Sequence, residues 1–142
     1  MRFLSTLIVF TVMTACTSKP NFEAEMELFY KEANKRGCIT YPVDIHFARL
    51  GTTAGYCIPK FGILINESLW QDYGPYQRKE LVLHELGHCV LQAEHESFGL
   101  MTPSMHSEAH LEAVWDTYVD LLFKDCVTLS TIVQSLSEEG GK

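Results

Sequence analysis

The sequence predicts a small α+β domain, with a short mixed sheet packed on a central helix and further helices at the N- and C-terminal flanks. Three observations lead there. Apolar residues recur at helical spacing over 22–36, 76–92 and 107–124. Between the first two lie three short stretches of strand character, at 39–50, 55–58 and 62–66, punctuated by Gly51, Gly55 and Pro59. The chain has 142 residues, 46% apolar and 20% charged, which is globular composition for one core and too short for two. No internal repeat or low-complexity tract is visible.

The elements follow in order. In 22–36, Phe22, Met26, Phe29, Tyr30 and Ala33 form one stripe. Asn21 is placed to cap it, acids crowd its first turns, and Gly37 is placed to end it. In 39–50, Val43, Ile45 and Phe47 alternate with Asp44, His46 and Ala48, as in a half-buried strand. Residues 67–73 allow a turn or two of helix before Gly74-Pro75 breaks it. The 76–92 helix carries Leu81, Leu83, Leu86, Val90 and Leu91 around much of its circumference, so it is the buried one. Residues 96–105, with Gly99 and Pro103, read as loop. Ser107 is a fair cap for the 107–124 helix, and 137–142 reads as a flexible tail.

The formal charge is −7, from 11 Lys+Arg against 18 Asp+Glu. That argues against a nucleic-acid partner, since phosphate contacts need a basic face. It also argues against adsorption to an anionic membrane by charge alone. The N-terminus offers another route. Arg2 precedes the apolar run 3–14, which is too short to span a bilayer comfortably and reads as a signal-peptide core. Met13-Thr14-Ala15-Cys16 resembles a bacterial lipoprotein signal, with Met13 where Leu is preferred. The resemblance implies removal of 1–15, a lipid on Cys16, a tether over 16–21 and a domain over 22–136. Thr17, where Asp is absent, resembles the sorting of outer-membrane lipoproteins.

Four cysteines then remain: Cys38, Cys57, Cys89 and Cys126. An even count in an exported chain suggests two disulfides, of three possible pairings. Cys38 and Cys57 flank one extended region, which favours Cys38–Cys57 and leaves Cys89–Cys126.

The chemistry lies in His84-Glu85-Leu86-Gly87-His88. On a helix, residues four apart lie 400° apart, so the two imidazoles project from one face and can share a metal ion. Glu85 points in a neighbouring direction, where it can take a proton from water that the metal activates without being a ligand itself. Zinc of this kind takes a third protein ligand. His95, Glu94, Glu108 and His106 are the candidates. In an unbroken helix His95 would lie about 10 Å along the axis from His88, out of reach. A His95 ligand therefore requires the helix to stop between Leu91 and Ala93. No glycine stands between His88 and Gly99, so a residue with a side chain must take the left-handed turn, at about 1 kcal/mol.

Residues 84–101 resemble the metzincin zinc peptidases, above all their matrixin-like branch, whose H-E-x-x-H-x-x-G-x-x-H motif is followed by a Met-containing turn. Leu100-Met101-Thr102-Pro103 resembles that turn closely. Leu91 stands in place of the motif glycine, and the third histidine comes one residue late, at His95. The resemblance implies a zincin-like fold around a central active-site helix, with Zn2+ on His84, His88 and His95, Glu85 as general base and Met101 in the Met-turn. Glu108 is the rival ligand, because its separation from His88 resembles that of the thermolysin-like zincins. The resemblance also implies a substrate-pairing edge strand, for which 62–66 is the candidate. His46 and His110 read as surface or core histidines. No Tyr follows Met101 closely, so no oxyanion stabiliser can be named.

The function expected is a zinc metalloendopeptidase acting on a peptide or protein substrate, held at the bacterial cell envelope by a lipid anchor in the membrane. The alternative is a non-catalytic zinc-bearing envelope lipoprotein, favoured by the small size of the domain.

Overall fold

A computed structural model describes residues 21–139; the expected signal segment, Cys16 and most of the expected tether lie outside the described residues, as do 140–142 of the expected tail. The order is α1 (Glu23–Lys35), β1 (Ile45–Ala48), β2 (Gly55–Ile58), β3 (Gly62–Asn66), α2 (Glu67–Asp72), α3 (Pro75–Leu86), a π-helical turn (Gly87–Leu91), α4 (Glu108–Leu122) and α5 (Leu129–Glu139). This is the α+β architecture expected, built on a three-stranded mixed sheet. None of the described helices is long and apolar enough to cross a membrane.

The N-terminal helix buries Phe29 and Ala33 completely. Asn21 does not cap it. Phe22 holds that position without a side-chain bond, and Asn21 instead donates to the Glu23 carboxylate at 3.1 Å. Gly37 ends it at φ +70°, with Cys38 N–H returning to Ala33 O at 3.0 Å, a Schellman-type closure that only a residue free of Cβ strain adopts cheaply.

The sheet order is β1-β3-β2. β1 runs parallel to β3 (Ile45 opposite Ile63) and β2 antiparallel to it (Cys57 opposite Ile63). The 39–50 strand is shorter than the alternation suggests. Its start is drawn elsewhere: Ile39 N–H bonds Val127 O at 2.8 Å and Cys38 bridges to Thr128. β3 is central, with Ile63 and Ile65 fully buried. Asn66 ends it and starts α2, accepting from Ser68 N–H while its amide donates to Gly51 O and Thr53 O at 2.8 and 2.9 Å. That one buried side chain pins the loop leading into β2. Trp70 of α2 packs with Phe22 and Phe47, ring centroids 5.1 and 5.9 Å away.

The pairing of cysteines differs from expectation. The disulfides are Cys38–Cys126 and Cys57–Cys89. The sheet order is the reason. β2 lies on the far side of β3 from β1, so Cys57 is carried away from Cys38 and onto the end of the central helix, where Cys89 meets it. Cys38, at the end of α1, lies beside 126–128 instead. The helical pattern of 107–124 ends at Leu122, and a fifth helix, α5, follows that the sequence did not announce. Thr128 and Thr131 cap it reciprocally, each hydroxyl accepting from the other's backbone N–H. It runs to Glu139, so the tail expected from Ser137 begins inside a helix.

Candidate metal centre and cleft

The central helix is helical from Pro75, where a proline costs no hydrogen bond. Glu108 completes its N-terminus. The carboxylate accepts from Tyr76 N–H at 2.9 Å and Gln77 N–H at 3.1 Å, and Gly74 is what leaves it room: a Cβ there would stand 2.4 Å from its oxygen. The rival third ligand is thus spent on an anion-binding helix start. Beyond Leu86 the helix widens into the π turn, a form often found at functional sites. Gln92 then takes the left-handed conformation, φ +56°, and the N–H groups of Gln92 and Ala93 both close on Gly87 O. The helix stops where a His95 ligand requires.

The reversal brings His95 back. The three Nε2 atoms form a near-equilateral triangle: His84 to His88 is 3.1 Å, His88 to His95 3.2 Å, and His95 to His84 3.3 Å. His84 Nδ1 lies 2.7 Å from Leu100 O, and His88 Nδ1 lies 2.7 Å from Ala93 O. Each of those nitrogens therefore carries the proton and donates, which leaves Nε2 with a lone pair facing the other two. Burial holds His84 neutral, lowering its pKa to about 4, and its histidine neighbours add to the effect. Two lone pairs fixed in this way, with His95 Nε2 beside both, form a site for a cation. Among the described residues this is the one cluster of His, Cys, Asp or Glu side chains able to hold a metal ion. Glu94 is exposed and outside it.

Met101 lies beneath the ligand helix, 3% exposed. A Cβ on Gly87 would stand 2.7 Å from its sulfur, so the glycine beside His88 is what lets Met101 pass there. The preceding residue supplies the carbonyl that orients His84. The loop is tied by Glu96 N–H to Met101 O at 2.9 Å.

Glu85 is 5% exposed, lies against β2 and borders the same cleft as the three histidines, without belonging to their cluster. A Cβ on Gly55 would lie 2.7 Å from its Oε1, so the strand approaches the carboxyl through a residue without a side chain. Burial raises its pKa to about 7, opposed by a hydrogen bond from the Cys57 backbone N–H.

These groups floor a cleft of about 640 Å³. Residues 52–57 and Pro59 form one wall, and Tyr73, Leu81, Thr102, Pro103 and Met105 the other. The strand bordering the cleft is therefore β2, the sheet edge, and not the 62–66 strand, which the sheet order places in the centre. Glu80, which lies outside the H-E-x-x-H motif, also lines the cleft. Its signal was the helical repeat itself, since it stands four residues before His84. His106 is taken up by that buried glutamate, its Nδ1 bonding Glu80 Oε1. His110 Nε2 lies 2.9 Å from the Tyr118 hydroxyl, and His46 is exposed on β1.

The fold and its three-histidine centre define a small zincin-like α+β domain. The chain belongs to the family described as "Putative phage metallopeptidase", whose model matches residues 18–113, from before α1 into α4 and across the whole histidine cluster. No curated protein and no solved structure matches the chain.

Proposed function

We propose that the domain is a zinc-dependent metalloendopeptidase with Glu85 as its general base, tethered to the bacterial cell envelope through a lipid on Cys16. The observation that carries this reading is the triangle of Nε2 atoms with a buried glutamate beside it. Zinc fits the triangle: tetrahedral bonds of about 2.0–2.1 Å set donors about 3.3–3.4 Å apart, against 3.1–3.3 Å here. When bound, zinc supplies a Lewis acid for the scissile carbonyl and acidifies water.

The chain's own residues do the rest. Leu100 and Ala93 carbonyls fix the tautomers of His84 and His88, and hold both rings in place. Glu85, pressed between α3 and β2, accepts the proton of the attacking water and returns it to the leaving amine. The free edge of β2 offers backbone groups to an extended peptide laid along the cleft.

The test is cleavage of an unfolded protein by the zinc-loaded chain and by Glu85→Gln. The variant should bind zinc as tightly and cut nothing, because an amide cannot accept the proton. Full activity in Glu85→Gln overturns the assignment of the base. A zinc-loaded wild type that cuts no peptide favours the non-catalytic module. The anchor is read separately, by mass spectrometry of the exported protein's N-terminus, where a lipidated Cys16 is expected.

A further inference from the structure

Glu80 stands on the same face of α3 as His84, one turn earlier and about 6 Å along the axis. It is 2% exposed, yet it borders the cleft, whose lining there includes the apolar Leu81, Pro103 and Met105. Its polar contacts come from one residue: His106 Nδ1 on Oε1, and His106 N–H on Oε2 at 3.1 Å. A carboxylate offers about four acceptor sites, so half remain. A carboxylate accepts both of these bonds, one on each oxygen, where a glutamine has a single acceptor oxygen. His106, when protonated, is the one ion-pair partner of Glu80 among the described residues, and the lining of the cleft contains no Lys or Arg. The cations nearest in sequence are engaged elsewhere, Arg78 on the Trp70 carbonyl and Lys79 over the Tyr76 ring.

We propose that the Glu80 end of the cleft is a side-chain subsite for lysine or arginine, so that the enzyme selects peptides carrying a basic residue next to the scissile bond. The apolar walls take the methylene stem, and Glu80 takes the charged head. This rests on the peptidase reading and names the substrate class for it. Specificity of this kind arises because a peptide without the cation leaves the remaining acceptor sites of the buried carboxylate unfilled.

The experiment compares peptides identical except for Lys, Arg or the uncharged isostere norleucine, placed in turn on either side of the scissile bond. Two readouts are taken: kcat/KM on the zinc-loaded wild type, and peptide binding to zinc-loaded Glu85→Gln by fluorescence anisotropy. Basic peptides should win by at least about tenfold at one position in both readouts. In Glu80→Gln the ratio of basic to norleucine peptides should fall towards one. Cleavage without a basic preference, or a preference that Glu80→Gln keeps, overturns the subsite while leaving the peptidase standing. Absence of all cleavage overturns the peptidase, and equal binding of Lys and norleucine peptides then overturns the subsite as well. Should Glu80→Gln not fold, the wild-type comparison decides alone.

Discussion

Cys57 is bonded to the metal helix twice over: its sulfur to Cys89, the residue after His88, and its backbone N–H to the carboxylate of Glu85. The edge strand, Glu85 and His88 are thereby fixed to one another. Tyr41 adds a third tie, its hydroxyl donating to the Cys89 carbonyl.

The two disulfides should then differ in what they hold. Each closes a loop whose entropy is worth roughly 3.5–4.5 kcal/mol in the chain-entropy account, so either loss lowers stability. Only Cys57→Ala/Cys89→Ala should also weaken zinc binding, because it frees the strand beside Glu85 and the turn carrying His88. The Cys38–Cys126 bond ties α1 to the chain before α5, away from the cleft, so Cys38→Ala/Cys126→Ala should leave zinc affinity alone. Chemical unfolding and zinc titration of both double variants measure this; equal zinc affinities in the two would refute it. Non-reducing peptide mapping should return the pairs Cys38–Cys126 and Cys57–Cys89.

The ligand set gives a second contrast. His84→Ala and His88→Ala should abolish stoichiometric zinc binding, and His95→Ala should weaken it by at least about tenfold. Glu108→Ala should bind zinc normally and be less stable by about 1 kcal/mol, since it strips the bonds to Tyr76 and Gln77 N–H at the start of α3. Zinc titrations with parallel urea unfolding separate the two effects. Loss of zinc in Glu108→Ala with retention in His95→Ala would exchange their roles.

Local signals made most of this centre legible. The four-residue spacing of His84 and His88 is a property of one helix, and so is the burial of Leu81, Leu83 and Leu86 around it. The same arithmetic required a left-handed residue before His95, and Gln92 is that residue. What the sequence concealed depends on contacts between distant segments. The cysteine pairing follows from the strand order β1-β3-β2, in which a parallel pair and an antiparallel pair flank one strand, and no periodicity reports that order. The edge role passed from 62–66 to Gly55–Ile58 for the same reason. Glu108 resembled a ligand because its spacing was read without the helix start it serves. The α5 helix escaped because its apolar residues, Leu129, Val133 and Leu136 among them, are exposed and pack on no core that a buried stripe would announce.

The pH dependence of stability tests the burial of Glu80. Desolvation raises its pKa above the ordinary 4.5, against the bonds from His106; Tyr73 and His110 are the other titratable groups in its field. A carboxyl whose folded pKa is raised binds its proton more tightly in the native state. Its contribution is then complete below about pH 4.5 and is lost as pH climbs through the raised value. The stability of wild type relative to Glu80→Gln should therefore decline from about pH 4.5 upward. Urea unfolding of both chains from pH 4 to 7 reads this directly; a difference that is flat or rises with pH would contradict it.

Gln92 carries the reversal on which the third ligand depends. At φ +56° a side chain costs about 1 kcal/mol that glycine does not incur. Against this, glycine loses more backbone entropy on folding, by a similar amount. Gln92→Gly should therefore change stability by less than about 1 kcal/mol and leave zinc affinity intact, because the geometry that returns His95 is preserved. Gln92→Val should destabilise by more, since a β-branched residue fits the left-handed region poorly. Gln92→Pro is the severe case. Its φ is fixed near −65°, and it removes the N–H that closes on Gly87 O. The chain then cannot turn back after Leu91, and His95 is carried away from His84 and His88. Zinc affinity should fall in Gln92→Pro at least as far as in His95→Ala, and the double variant should bind no more weakly than Gln92→Pro alone. A proline variant that keeps wild-type zinc affinity would mean that His95 does not depend on this turn.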